Sequence, residues 1–303
     1  MSLANKLDLN RAENIRVQIT TQQEKDIERM YRRIVRNINQ EMKKLPDTTS
    51  GVLRGMYLSK LKGQIYEQLH DLSKELEDTI TSNMSRMAQA VVEDNLRFLR
   101  YVDMPLQGAF SHVPRDVVES IITGKVYQGN WSLSKSLWKH TQKAQRDINK
   151  IIAEGVAQNK SAYDIAKDLE KYVNPSARKP WDWNKVYPGT ARKIDYNAQR
   201  LARTLVSHAY QQSFVRTTQK NPFVTKYQWD ASNSHRTCEL CASRDGQFFD
   251  KNDLPMDHPN GMCTYIAVIE DSMTDIADRI ADWALGETQD PALDQYYEFL
   301  MNS

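Results

Sequence analysis

The chain is poor in cysteine, glycine and proline: 3 Cys, 11 Gly and 10 Pro among 303 residues. Three cysteines exclude a disulfide-framed secreted scaffold. So little Gly and Pro, beside 26% charged residues, excludes collagen-like and low-complexity architecture and favours long regular elements. No apolar run reaches the about 18 residues of a membrane-spanning helix. The opening MSLANKLDLN lacks the hydrophobic stretch of a signal peptide, so a soluble chain without a membrane partner is expected. The phosphate-binding GxxxxGK[ST], the dinucleotide GxGxxG, HExxH and GxSxG are all missing, and nothing in the sequence demands an enzyme. What is present is 40% hydrophobic residues, enough to build the cores of one to three domains.

The net charge of +2 hides a strong asymmetry: residues 1–130 carry +2, residues 131–220 carry +10, and residues 221–303 carry −10. A basic middle and an acidic end point to contact with a polyanion, or to docking of one segment on the other or on a partner, with solvated or intramolecular charge as the plainer expectation.

Helical periodicity dominates. From Gln22 to Lys44 the positions Ile27, Met30, Tyr31, Ile34, Ile38 and Met42 recur at three- and four-residue steps, which predicts an amphipathic helix. After PDTTSG (46–51), a second stripe runs from Val52 through Leu61, Leu72 and Ile80 to Val91. Unbroken over 52–98 it would extend about 70 Å. The segment 103–131, rich in Pro and Gly, reads as a connection holding a short helix near Pro114–Ile122. Further helices are expected over 137–156, after a Ser161/Asp164 capping box, and over 191–219. Beyond Pro222 the pattern changes to FVTKYQW, QFF after Asp245-Gly246, and TYIAVI at 264–269, three short strands of an antiparallel sheet. Helices over 272–285 and 291–301 close the chain.

The sharpest local signal is Cys238-x2-Cys241, sixteen intervening residues, then His258-x4-Cys263. Thiolates at this spacing hold one metal from a tight turn while a histidine and a third thiolate approach from across a hairpin. The result is a closed Cys3His set with no vacancy for water, as in structural zinc sites. Three free cysteines are the competing reading, and His235 competes with His258 as the fourth donor. The fold class is therefore mainly α, with long N-terminal helices, a helical middle and a small α+β module carrying a short antiparallel sheet and a zinc site. The expected regions are an extended helical 1–130, a basic helical 131–222, a zinc-stabilised β module 223–271 and an acidic helical tail 272–303.

Other candidates carry less chemistry. His70, His112, His140 and His208 have no nucleophile near them in sequence and read as structural. Asp271, Asp275, Asp278 and Asp282 share one helix face and read as a solvated or docking surface. The basic stretch with Arg178, Lys179, Lys185, Arg192, Lys193 and Arg200 interleaves Trp181, Trp183 and Tyr187, a pattern able to stack on bases. Anchoring of a loop is the commoner use of such aromatics.

At these residues the chain resembles a known family. Arg200-Leu-Ala-Arg-Thr204, the strand ending in Trp229, His235-Arg236-Thr237-Cys238-x2-Cys241, Asp245-Gly246, Phe249 and His258-Pro259-Asn260 leading to Cys263 follow the order of the Mu F-type phage minor head, or head morphogenesis, proteins. The family usually reads HPNCRC where this chain reads HPNGMC, so Gly261 and Met262 replace a cysteine and an arginine. The resemblance is strong over about 70 residues and looser upstream. It implies a virion component made with the capsid during assembly in the host cytoplasm and present in few copies. Its partners would be the portal, scaffold or major capsid protein, and in some relatives packaged double-stranded DNA, with delivery at genome ejection. The rival from the residues is a zinc-supported His-Asn-His-like endonuclease, since Asp257-His258 follows a Cys-x2-Cys; against it, no histidine follows His258. A fused toxin-like transferase, found with this module elsewhere, has no room in the about 35 residues that follow.

Overall fold

The computed structural model describes residues 11–44, 51–101, 109–127, 131–158, 160–174, 183–190, 193–231 and 237–302. The protein is mainly helical with one small antiparallel sheet near the C-terminus, as the periodicity predicts. In chain order the elements are α1 (Arg11–Lys43), α2 (Gly51–Tyr101), α3 (Val113–Ile122), α4 (Leu133–Ala157), α5 (Ala162–Val173), α6 (Trp183–Val186), α7 (Tyr196–Thr218), β1 (Val224–Asp230), α8 (Glu239–Arg244), β2 (Phe248–Phe249), β3 (Thr264–Ile269), α9 (Met273–Ala284) and α10 (Pro291–Asn302).

One boundary differs clearly from expectation. α1 begins at Arg11, not near Gln22. Its first three turns bury Ala12, Arg16, Ile19, Thr20 and Gln23, so the inward stripe continues through polar side chains that an apolar count passes over. The second helix is continuous over 51–101 as its seam requires. The interruption read at 46–51 lies outside the described residues, apart from Gly51, which opens α2.

Caps fix several helix starts. Ser132 accepts from the Lys135 amide, Ser161 from Asp164 and Ser272 from Asp275, each satisfying an amide that the first turn leaves without a partner. At Ser161 and Ser272 the hydroxyl also donates to the carboxylate three residues on, at 2.7 and 2.6 Å.

By contacts the chain forms two compact units, each drawn from separated stretches. One takes Met1–Thr20, Thr81–Tyr127 and Arg203–Ser303; the other takes Thr21–Ile80 and Gln128–Ala202. The second unit is a helical core of Ile27, Tyr31, Ile38, Ile65, Leu69, Leu72, Leu137, Ile148 and Leu169. Within it Asp168 accepts from the Tyr187 hydroxyl (2.7 Å), Lys160 (2.8 Å) and Lys171 (3.3 Å). Asp147 accepts from the Tyr172 hydroxyl at 2.7 Å. Burial, then the bond to Asp168, raises the Tyr187 phenol well above its ordinary value, so that hydroxyl stays a donor.

The first unit contains the sheet. Its order is β2-β1-β3, antiparallel throughout, with Tyr227 opposite Phe249 and Ala267 and a register irregularity between Val224 and Lys226. Inward residues Val224, Tyr227, Trp229 and Tyr265 pack with Cys241 and Cys263. The Asp245-Gly246 turn brings β2 back: Gly246 adopts φ +74°, which favours glycine, and Asp245 Oδ1 accepts from the Ala231 amide at 2.9 Å.

Helices α4 and α5 approach closely at Gly155. A Cβ there would lie 2.6 Å from Ile165 Cγ1 and 3.0 Å from its Cδ1. Gly155→Ala should gain helix propensity yet lose more to overpacking, a net destabilisation of about 1 kcal/mol. Urea denaturation checks it, and Ile165→Val in the same background, which removes only Cδ1 and keeps the nearer γ-carbon, should recover little of the loss.

Candidate metal centre

The sheet positions the predicted donors. Cys238 caps α8, its Sγ accepting from the Cys241 amide at 3.4 Å, so both thiols of the Cys-x2-Cys face one point. His258 sits in the loop before β3, and Cys263 is the last residue before that strand. Cys241 and Cys263 are buried, whereas Cys238 is half-buried. His235, the competing donor, and its neighbour Arg236 lie outside the described residues.

Cys238 Sγ lies 3.1 Å from His258 Nε2. The four predicted donors fall into two overlapping groups that share Cys241: Cys238, Cys241 and His258 in one, Cys241, Asp257 and Cys263 in the other. Within each group the donor atoms lie within 4.8 Å of one another. These groups can hold a metal ion, and two thiols with an imidazole form a donor set that suits a borderline-soft divalent ion. The hydrogen bond from the Cys241 amide, aided by His258, holds the Cys238 thiol below its usual range. Burial pushes the Cys241 thiol up, reinforced by the neighbouring Cys263 and Cys238. Burial works against a charged His258, yet the Pro259 carbonyl, Asp257 and Cys238 together raise it.

Asp257, which the sequence marks only as half of the Asp257-His258 pair of the rival endonuclease reading, belongs to the centre itself. Its carboxylate accepts from the His258 amide (2.8 Å, Oδ1) and the Cys263 amide (3.0 Å, Oδ2), so one buried side chain ties the two donor-bearing ends of the loop together. The available signal was its place directly before His258 in a turn sequence, DHPNG. Asn260 completes the turn at φ +69°, and the Gly261 amide donates to the His258 carbonyl at 2.9 Å.

The same loop is gripped by α7. Arg203 donates to Asn260 Oδ1 (2.8 Å), Thr204 Oγ1 accepts from the Asn260 amide (2.8 Å), Ser207 donates to the Gly261 carbonyl (3.0 Å) and Gln211 to the Cys263 carbonyl (3.0 Å). His208 lies between them, its Nε2 3.1 Å from the Asp257 carbonyl and its Nδ1 2.8 Å from the Tyr127 hydroxyl. Burial lowers its pKa, so a neutral imidazole donates to the carbonyl and accepts from the phenol. From α1, the buried Arg16 donates to the carbonyls of Met262 (2.9 Å) and Cys263 (3.3 Å) while its guanidinium lies 4.7 Å from the Tyr210 ring centroid.

The basic candidates are placed less uniformly. Arg178, Lys179 and Arg192 lie outside the described residues, as does Trp181. Lys185 and Arg200 are exposed. Lys193 is committed within the chain, 3.1 Å from Asp195 and 3.4 Å from Glu28. Tyr187 is buried against Asp168 and offers no stacking face. Among the described residues the acidic face of α9 forms no metal-holding group, and Asp271, Asp275 and Asp278 are exposed. No helix among the described residues is long and apolar enough to cross a membrane.

Residues 146–264 match the family model described as Phage Mu protein F like protein. The matched stretch runs from within α4 to the first residue of β3 and contains every donor named above. No curated protein and no solved structure matches the chain.

Removing the α1 grip tests the loop. Arg16→Met keeps the apolar stem but withdraws the donors to the Met262 and Cys263 carbonyls, and should cost about 2 kcal/mol. Chemical denaturation measures the loss, and amide exchange should quicken at Gly261 and Cys263 while the amides of α10 stay protected.

Proposed function

We propose that this chain, similar over residues 146–264 to the Mu F-like phage proteins, is a non-enzymatic minor head protein of a tailed phage. It acts in head morphogenesis as a virion component at the portal vertex. One observation carries the reading: two separate pieces of the family-like sequence meet in space. Arg203 and Thr204, from the helical piece, both bond Asn260, from the His-Pro-Asn turn.

In this proposal the β module, residues 223–271, is a cross-linked platform. Cys238, Cys241, His258 and Cys263 would hold one zinc ion, which supplies a structural cross-link when bound and no reaction step. A three-stranded sheet, one strand only two residues long, buries too little apolar area to be stable by itself, so metal affinity becomes folding free energy. The close approach of His258 Nε2 to the Cys238 thiol supports this role over a His-Asn-His-like endonuclease, whose catalytic histidine must be free of the structural metal. The helices of 1–130 are the portal- or scaffold-facing part, and the acidic 272–303 is a tail. The basic 131–222, delivered or packaged with the genome, contacts DNA through Arg178, Lys179, Lys185, Arg192 and Arg200. Lys193 takes little part because its charge is already paired.

Elemental mass spectrometry of the full chain should find about one zinc per chain, lost in Cys238→Ser together with protease resistance of the C-terminal third. Metal-free protein, freshly prepared under reducing conditions, would overturn the donor assignment. DNA binding should be indifferent to sequence. With five phosphates neutralised, affinity should fall roughly 500-fold between 50 and 200 mM salt. Retention of DNA at several hundred millimolar salt would exclude this electrostatic mode.

A further inference from the structure

The Cys3His reading leaves one buried charge unused. Asp257 is 4% exposed, and among the described residues no lysine or arginine pairs with its carboxylate. The amides of His258 and Cys263 satisfy part of its hydrogen-bonding capacity. A carboxylate held out of water without a cation nearby lacks the partner that would offset its desolvation. The groups that surround it are the Cys241 thiol and the Cys263 segment, a setting made for a metal ion rather than an ammonium group.

Two distances locate it further. Oδ1 lies 3.8 Å from Cys241 Sγ. Zinc–sulfur and zinc–oxygen bonds of ordinary length, opened to the roughly 120° of two neighbours in one plane of a five-donor set, separate their donors by about 3.8 Å. The carboxylate also fills the space over Gly261: a Cβ on that residue would stand 2.1 to 2.3 Å from its oxygens and Cγ. Residue 261 carries no side chain, and the carboxylate of residue 257 lies where one would begin.

We propose that Asp257 is a ligand of the same metal ion through Oδ1, beside Cys241, so that the module holds its metal with mixed sulfur, nitrogen and oxygen donors. This rests on the metal reading above and adds an oxygen donor to it. Asp257 then does two things: it fixes the backbone of the donor loop and balances part of the ion's charge from within the core.

X-ray absorption at the zinc edge of the full chain, loaded with one equivalent of zinc, distinguishes this arrangement from a carboxylate outside the first shell. The wild type should show two light donor atoms beside its sulfurs, and Asp257→Asn only one. Zinc affinity should drop 10- to 100-fold in the variant, but an outer carboxylate would give the same loss, so the shell is the deciding readout. Equal shells in the two proteins overturn the assignment. Should the variant not fold, a wild-type shell of three sulfurs and one light atom overturns it equally. A wild type that binds no zinc at all overturns the metal reading itself and this inference with it, an outcome distinct from a bound ion with the wrong shell.

Discussion

The seven-residue turn from Asp257 to Cys263 is the constraint on which the C-terminal module depends. It must place a histidine and a cysteine toward a Cys-x2-Cys pair, and a loop of that length has no regular structure to hold it. The structure solves this with polar contacts at nearly every peptide unit: Asp257 from within, Arg203, Thr204, Ser207, His208 and Gln211 from α7, and Arg16 from α1. Each neutral bond contributes only about 0.5–1.5 kcal/mol net, and those to charged groups about 1.5–3. Shared over one turn they leave it little freedom. The donors are therefore brought together by side chains, and metal affinity need not supply all of the ordering.

That grip explains why α7 is unusual. Residues 204–210 are buried on every side, yet Thr204, Ser207 and His208 are polar. A buried polar group is tolerated when it is hydrogen-bonded, and here each has a loop atom as partner. The helix is at once a core element and a template for the turn. The sheet then covers the other side of the thiols: Trp229, Tyr227 and Tyr265 pack in edge contacts around them, and the Arg244 guanidinium lies 5.3 Å from the Trp229 ring.

What could be read from sequence follows from which signals are periodic. Apolar stripes at helical spacing marked most helices, runs rich in β-branched and aromatic residues marked β1 and β3, and the Asp245-Gly246 turn marked β2. The first turns of α1 escaped because Arg16, Thr20 and Gln23 occupy inward positions, and their reason for being there is tertiary. The cysteines and His258 were legible because metal spacing is local. Asp257 was not, since its two amide contacts are formed only once the turn is closed. The polar face of α7 was legible only in hindsight: without its partner loop, a Thr, Ser and Gln repeating at three- and four-residue steps looks like a solvated surface. Charge was the weakest guide. Part of the basic charge of the middle region is met internally, with Lys160 and Lys171 on Asp168, Lys143 on Asp147, Lys150 on Glu154 and Lys193 on Asp195.

The departure from the HPNCRC pattern becomes intelligible in the same terms. Gly261 stands where the pattern has cysteine, and any side chain there would collide with the Asp257 carboxylate. Met262 stands where the pattern has arginine. Its sulfur lies 3.4 Å from the Ser207 hydroxyl, and its carbonyl accepts from a guanidinium that arrives from Arg16 on α1. Around this turn the structure places the carboxylate of residue 257, on the His258 and Cys263 amides, and the guanidinium of residue 16, on the Met262 and Cys263 carbonyls. In the proposed metal-bound centre the Asp257 carboxylate would add negative charge, and the buried Arg16 guanidinium on the adjoining carbonyls would oppose it in a medium where such charges are felt strongly. The buried Arg16 is itself satisfied there by Glu13 at 3.3 Å, the Met262 and Cys263 carbonyls and the face of Tyr210.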